Sequence, residues 1–204
     1  FTAEDVKNCV NVYGDPESIT GKSTYKHLKP NLNHAFKYLR PEQDLYADFG
    51  FFNGIPILVS ISKPLNYIHT LHALETKEDS CWYLVNKLLS DYKARGFKIN
   101  NLWFDKEGGI GACSDKIKAL GVNVDQPAGQ IHIDYVERVL RTIKERYRTV
   151  SNNLPFPLNA KLVPYLVSNI AMNLNSFPRK STEGMHCPRE AFLGRKLDYD
   201  INFR

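Results

Sequence analysis

Residues 44–62, DLYADFGFFNGIPILVSIS, decide the fold of this chain. Residues 44–52 alternate between apolar and polar side chains, as a half-buried strand does, and residues 55–62 form a nearly unbroken apolar run, as a strand near a sheet centre does. The Asn53-Gly54 pair between them is a strong signal for a tight hairpin turn. The stretch therefore predicts two antiparallel strands.

The rest of the chain supplies further strands and helices. In chain order the patterns predict a third strand at 66–74, a helix at 77–97, a fourth strand at 99–105, a short helix at 114–120, a fifth strand at 122–126, and long helices at 134–148 and 158–177. The apolar stripe of the first helix contains Trp82, Val85, Leu88, Leu89 and Tyr92. This order predicts an α/β fold, a mixed five-stranded sheet with helices on both faces, in which Trp82 and Trp103 belong to the core.

The same patterns divide the chain into three regions. Residues 1–43 are expected to be peripheral, ending in a polar linker or covering loop, and residues 44–177 form the core. Residues 178–204 are punctuated by Pro and Gly and are expected to be mostly extended. The chain starts at Phe1, so we expect it to be a piece of a longer polypeptide.

The composition narrows the class of protein. The net charge of +5 lies wholly in residues 131–204, which hold 12 Lys/Arg and 7 Asp/Glu, whereas residues 1–130 hold 15 of each. That distribution suits a polyanion bound at one region, and solubility is the alternative reading. The four cysteines (Cys9, Cys81, Cys113 and Cys187) form no CxxC pair, which favours free thiols in a reducing compartment. The apolar runs are far shorter than the ~20 residues of a membrane span.

Three acids occupy positions that strands and helices rarely give them without a reason. Asp48 lies in the middle of a predicted strand, Asp105 ends another, and Glu137 opens a helix. A strand-end Asp by itself is most often a turn or cap residue, and a mid-strand Asp is disfavoured unless it has a partner. Together, on this strand order, the three acids indicate a site at one edge of the sheet.

The helix DYVERVLRTIKERYR (134–148) has two distinct faces. At about 100° per residue, an apolar stripe forms; it contains Val136, Val139, Leu140, Ile143, Tyr147 and Val150. Glu137, Arg141, Lys144 and Arg148 form a row beside it. An i,i+4 pair between Glu137 and Arg141 is the simpler explanation of the acid, but it leaves the other cations unexplained. A row of cations that leads away from a carboxylate suits a phosphate backbone entering a metal site.

With these residues the chain resembles retroviral-type integrases. Asp48 in YADFGFF, Asp105 in LWFDKE and Glu137 in DYVERVLRTIKERYR resemble the acidic (DDE) triad of that group, with 56 and 31 residues between successive acids. The second interval is slightly shorter than is common there. The resemblance is closest to the integrase region of copia-like LTR retrotransposon polyproteins and covers roughly residues 44–177. Residues 187–199 resemble the segment on the C-terminal side of that core, and the first residues resemble the end of the pre-integrase zinc-binding segment.

The resemblance implies a ribonuclease-H-like fold and a two-metal polynucleotidyl transferase. Such an integrase processes the 3′ ends of the element's cDNA, as a nuclease, and joins them to target DNA. The resemblance implies that Asp48, Asp105 and Glu137 are catalytic and hold two Mg²⁺ (or Mn²⁺) ions per active site, Asp48 bridging both; carboxylate oxygens are the ligands that Mg²⁺ prefers.

The resemblance also implies partners and a location. Arg141 and Lys144 match family positions that contact DNA, and Arg148 continues their row. The partners would be the element's DNA ends and target DNA, with further copies of the chain in at least a dimer and no membrane. DNA integration would place the protein in the nucleus, after a cytoplasmic particle stage.

Several alternatives stay open. Glu107 is a rival for Asp105, and Asp44 a rival for Asp48. Cys9, His27 and His34 lack a nearby second Cys, so no zinc site is expected. His69 and His72 are interpreted as structural, and His132 as a turn residue that could shape the site. Lys161, Arg179, Lys180, Arg195 and Lys196 either extend a nucleic-acid surface or are merely solvated.

Two other functions remain in competition with the integrase interpretation. A domesticated or decayed copy would bind DNA or protein without catalysis. A nuclease of the same fold would hydrolyse DNA without joining it.

Overall fold

The computed structural model describes residues 41–73, 77–104, 112–125, 134–178, 187–195 and 197. All of them belong to one unit, Leu32–Arg204. Its elements are β1 (Glu42–Phe52), β2 (Ile55–Lys63), β3 (Ile68–His72), α1 (Glu78–Ala94), β4 (Lys98–Phe104), α2 (Ser114–Ala119), β5 (Asn123–Asp125), α3 (Asp134–Asn153), a 3-10 turn (Ala160–Leu162), α4 (Val163–Asn175) and α5 (Pro188–Leu193).

The predicted hairpin forms at the predicted residues. Asn53 and Gly54 have φ values of 49° and 78°, and two consecutive left-handed residues are what a tight hairpin turn needs. The sheet formed by the described strands has the order β3-β2-β1-β4-β5. β2 is antiparallel to both β1 and β3, whereas β4 is parallel to β1 and β5. β1 is therefore the central strand, where the antiparallel and parallel halves of the sheet meet.

Helices cover both faces of this sheet, as predicted. On one face α1, α2 and α5 pack on side chains such as Leu45 and Leu102. On the other face α3 and α4 pack on side chains such as Tyr46 and Val59. The fold is thus a mixed five-stranded α/β sheet between two helical layers, and successive residues of β1 point alternately to the two layers.

The predicted helix stripes are largely buried, with two differences. In α3, Tyr147 contacts the ring of Phe52 at a centroid distance of 5.3 Å, and Phe52 is the last residue of β1. Val150 lies one turn further, past the end of that strand, and is 39% exposed, so its place in the stripe was wrong. In α1, Trp82 is half-buried against the core, whereas Cys81 and Leu84 are buried.

The expectation of a mostly extended tail was wrong for Pro188–Leu193, which forms α5. The Pro and Gly that suggested extended chain are start and stop signals: Pro188 lies in the first turn, and Gly194 ends the helix with a φ of 65°. Cys187 and Glu190 complete a capping box. The ring of Phe192 stacks on that of Tyr67 at 4.0 Å, which attaches the helix to the core.

Other predictions concern single residues or regions outside the sheet. Cys81, Cys113 and Cys187 are buried and outside any disulfide bond, as predicted, and Cys9 lies outside the described residues. Residues 1–40 also lie outside them, so the peripheral assignment of those residues stays a prediction. For Glu42 and Gln43 that assignment was wrong, because both belong to β1 and Gln43 is buried. Among the described helices, none combines the length and apolar character that a membrane crossing requires.

Candidate functional site

A cavity of about 270 Å³ lies between β1 and α3 and brings together two of the three predicted acids. Asp48 lines it from the strand, and Glu137 lines it from the helix. The three cations of the predicted row, Arg141, Lys144 and Arg148, line it as well. Asp48 and Glu137, almost ninety positions apart in sequence, therefore share one site, and the cations share it with Glu137 as the helical facing of α3 predicted.

Asp48 occupies its position because β1 presents it to the helical layer that contains α3. It is half-buried, and its Cα pairs with that of Val59 on β2. The backbone N–H of Phe49 donates to Asp48 Oδ1 at 2.7 Å, which orients the carboxylate. A polar side chain in the middle of this central strand thus reaches a cavity instead of the apolar core.

Glu137 lies in the first turn of α3 and is exposed. An acid is favourable there because the unsatisfied N–H groups at a helix N-terminus carry partial positive charge. The simpler explanation, an ion pair with Arg141, is wrong, because these two described residues form no such pair although they are at i,i+4. Asp134 and Arg138 do form an i,i+4 pair, at 3.5 Å, on the same helix.

The cations of the row are without acidic partners in the described part of the chain. None of Arg141, Lys144 and Arg148 forms an ion pair with a described acid. Three cationic groups that share a cavity and lack intramolecular partners among the described acids remain available to an external polyanion. Arg138 and Arg146, by contrast, line a different cavity on the other flank of α3.

Glu145 is a cavity residue that the sequence analysis missed. It is exposed and places a third carboxylate beside the cations. The helical projection contained the signal, because position 145 falls about 40° from Arg141 around the helix. Glu145 lies further around the helix from the apolar stripe than the residues of the row do, so the row does not include it.

Asp105 lies outside the described residues, as do its rival Glu107 and His132. The strand that leads to Asp105 is well defined: Phe104, the last residue of β4, pairs with Ala47, which immediately precedes Asp48. Within the described ranges, no group of three or more His, Cys, Asp or Glu side chains is arranged to hold a metal ion. The described site therefore contains two of the three predicted metal ligands.

Asp44, the rival of Asp48, has a structural role. Its Oδ1 accepts a hydrogen bond from Asn101 Nδ2 at 2.6 Å, and it does not line the cavity. This contact ties β1, near its start, to the middle of β4. Asp48 is therefore the β1 acid of the site.

The remaining candidates are dispersed. His69 contacts Asp91 at 3.2 Å, in agreement with a structural role, and His72 is exposed. Lys161 and Arg195 are exposed and do not line the cavity. The candidates that lie outside the described residues are Cys9, His27, His34, Arg179, Lys180 and Lys196.

An aromatic layer lies next to the site. The rings of Tyr46 and Trp103 stack at 6.1 Å with an interplanar angle of 9°, and Tyr135 contacts Tyr46 at 5.5 Å. Lys63 Nζ lies 4.3 Å from the centre of the Tyr135 ring. Burial, followed by the charge of Asp44, raises the pKa of Tyr46 above its ordinary value.

The fold defines a class: the ribonuclease-H-like α/β fold, in which a mixed five-stranded sheet carries helices on both faces. Among solved structures, the chain is similar to the catalytic core domain of BIV integrase, with a TM-score of 0.57 and 18% identity over 74% of this chain and 93% of that one. No family model and no curated protein matches the sequence. At this identity the likeness establishes the fold alone.

Proposed function

We propose that this chain is the catalytic core of a DNA integrase, which processes the 3′ ends of an element's cDNA and joins them to target DNA. The observation that carries the proposal is the convergence of Asp48 and Glu137 on one cavity, beside three cations without acidic partners in the described residues. Carboxylates suit divalent ions, and the cations suit the phosphate backbone that would be cut and joined. The shared fold with an integrase core supports the same reading.

The carboxylates of the predicted triad are of the chemical type that Mg²⁺ or Mn²⁺ ions prefer as ligands. Asp48 and Glu137 would supply oxygen ligands, and the sequence resemblance implies Asp105, the residue after Phe104, as the third. Asp48 would hold both ions, Asp105 one and Glu137 the other. Bound there, the ions would activate the attacking oxygen and stabilise the leaving one.

The chain's own residues would orient the nucleic acid. Arg141, Lys144 and Arg148 follow the helix axis away from Glu137 over about 11 residues, or ~16 Å, which is long enough for several phosphates. They would bind the DNA end by its backbone and leave its terminal phosphodiester at the carboxylates. Glu145 would limit how closely phosphates approach the middle of this row.

The finer assignment rests on the sequence resemblance. We propose a copia-like LTR retrotransposon as the source, a polyprotein as the precursor, and integration in the nucleus after a cytoplasmic particle stage. A homo-oligomer, at least a dimer, suits the need to join two DNA ends. The division into a pre-integrase region, a catalytic core and a C-terminal tail belongs to the same proposal, with the core beginning at β1 (Glu42–Phe52) and with α5 of the tail packed on it.

The test is strand joining by Glu137→Gln and Asp48→Asn with a labelled DNA end, a target duplex and Mg²⁺ or Mn²⁺. We expect a loss of at least ~100-fold for each, the upper end of what losing an outer-shell partner of a metal ligand costs. Asp134→Asn, on the same helix but outside the cavity, is the matched control and should retain joining. Unchanged joining by Glu137→Gln would refute the site.

The same assay separates the competing functions. DNA binding without metal-dependent cleavage would support a domesticated or decayed module. Cleavage without joined product, when a 3′-hydroxyl end is supplied, would support a hydrolytic nuclease of this fold.

A further inference from the structure

The aromatic layer has a regular relation to the predicted acids. Tyr46 precedes Asp48 by two residues, and Tyr135 precedes Glu137 by the same interval. The third ring, Trp103, occupies β4 directly opposite Tyr46 in the parallel register. The two elements that bear the described acids are therefore joined by ring contacts just before each acid.

On β1 the spacing fixes a common face. Side chains at i and i+2 of a strand point the same way, so Tyr46 and Asp48 both point to the layer that contains α3. Tyr46 is 8% exposed and stacked on Trp103, so its ring is held in place and offers a fixed contact surface to α3.

On α3, the residue that contacts Tyr46 lies in the first turn, which is among the least stable parts of a helix. The first turn of a helix has N–H groups without intrahelical acceptors, and helix ends fray. Tyr135 lies in that turn, with its ring 5.5 Å from that of Tyr46 and 4.3 Å from Lys63 Nζ. One aromatic ring thus attaches the start of α3 both to the central strand and to the end of β2.

Tyr135 is not buried in the core. Its side chain is 40% exposed, whereas the neighbouring Val136 is 3% exposed. The burial of Val136 holds the helix on the sheet, and the ring of Tyr135 adds contacts at the turn that carries Glu137. Its loss should therefore disturb that turn more than the fold.

We propose that Tyr135 is a positioning residue, which fixes the first turn of α3 against Tyr46 and Lys63 and so sets the position of Glu137 relative to Asp48. The consequence for joining rests on the proposed function, whereas the anchoring of the helix does not. Displacement of a site group by about 1 Å can cost ~100-fold in rate. The ring of Tyr135 would therefore affect the rate of joining through the position of Glu137, without contacting DNA.

The anchoring is tested by amide hydrogen exchange in the free protein. Residues 138–141 donate to the carbonyls of 134–137 in a regular helix, so their exchange reports whether the first turn is closed. Tyr135→Ala and Tyr135→Leu should raise these rates by about tenfold, and Tyr135→Phe, which keeps the ring over Lys63, should stay within about twofold of wild type. Unchanged exchange in both ring-deleted variants would overturn the proposal.

Joining assays test the functional consequence. Tyr135→Ala should lower the joining rate at saturating DNA by about 10- to 100-fold, should leave the Kd for the DNA end within about twofold, and should be rescued by Tyr135→Phe. Tyr83→Ala, at a 64% exposed tyrosine on α1, is the matched control and should change neither quantity. A fall in DNA affinity with an unchanged rate would overturn the positioning role.

The two proposals fail in distinguishable ways. If wild-type protein joins no DNA but Tyr135→Ala still accelerates exchange, the anchoring stands and the integrase proposal falls. If wild type joins DNA and Tyr135→Ala joins it equally fast, the positioning role falls and the integrase proposal stands.

Discussion

Leu140 of α3 packs over Gly50 of β1 so closely that a Cβ at position 50 would lie 2.6 Å from Leu140 Cδ2. Gly50 follows Asp48 by two residues, and Leu140 follows Glu137 by three. The glycine thus permits the close approach of strand and helix beside the cavity, and the gap between the two acids depends on it.

Gly50→Ala should destabilise the protein by about 1–3 kcal/mol. Alanine gains up to ~1 kcal/mol over glycine from chain entropy, but here its Cβ would also meet Phe52 Cε2 at 2.8 Å, and both neighbours are buried. Urea unfolding measures the change. Gly50→Ala/Leu140→Ala should be less destabilised than the sum of the single variants, because the shortened side chain leaves room for the methyl group. Strict additivity would contradict the tight packing.

Arg141→Ala should weaken DNA binding and reduce its dependence on salt. Each lost phosphate contact lowers the slope of log K against log[salt] by about 0.9, and Lys144→Ala and Arg148→Ala should behave alike. Fluorescence anisotropy of a labelled duplex between about 50 and 200 mM salt gives the slope.

Arg138→Ala and Arg146→Ala are the matched controls for that experiment, because they remove the same charge from the other flank of α3. They should leave the slope near its wild-type value. Equal losses from both flanks would show that DNA is attracted by total charge and not by the row.

Phe192→Ala should destabilise the protein by about 3–5 kcal/mol, the usual cost of removing a buried phenylalanine. Phe192 is 6% exposed, stacks on Tyr67 at 4.0 Å and contacts Tyr92 at 5.1 Å. Thermal or urea unfolding measures the loss. Phe156→Ala, at a 53% exposed site, should change stability by less than about 0.5 kcal/mol. If Phe192→Ala left the free energy of unfolding unchanged, α5 would add nothing to the stability of the core.

Stability should fall as the pH drops below about 6.5 because of His69. Burial lowers the pKa of His69 below 6.5 and outweighs the opposing effect of Asp91. The unfolded chain then binds a proton at a pH where the folded chain does not, so the free energy of unfolding decreases with falling pH until the folded pKa is reached. His69 Nδ1 also has no hydrogen-bond partner among the described residues, so an added proton there gains no acceptor.

The pH dependence of urea unfolding in His69→Gln checks this effect, with His72→Gln at an exposed position as control. His69→Gln should reduce the slope of the free energy of unfolding against pH by up to about 1.4 kcal/mol per pH unit. His72→Gln should leave that slope unchanged. Identical slopes for His69→Gln and wild type would contradict the assignment.

Local sequence predicted those features that depend on local geometry. The Asn53-Gly54 turn needs left-handed residues, and the Glu137–Arg148 row follows from the helical repeat, so both appeared where expected. α5 was missed because a Pro and a Gly six residues apart suit the two ends of a short helix as well as an irregular chain. Only its contacts with the core decide between them.

Features that depend on strand register were beyond the reach of the sequence. Tyr46 pairs with Trp103 across 57 positions, and no local pattern fixes a parallel register over such a distance. The role of Asp44 was undecided for the same reason, because its partner Asn101 lies on β4. The aromatic layer and the hydrogen bond between Asn101 and Asp44 therefore follow only from the three-dimensional structure.

The order of the elements along the chain has a consequence for synthesis. All five described strands precede residue 126, whereas one wall of the cavity is made entirely by α3. A nascent chain that has emerged from the ribosome as far as β5 has all five described strands but lacks Glu137 and the cations. If the protein cuts DNA as proposed, the nascent chain cannot do so until α3, in the last third of the polypeptide, has been synthesised.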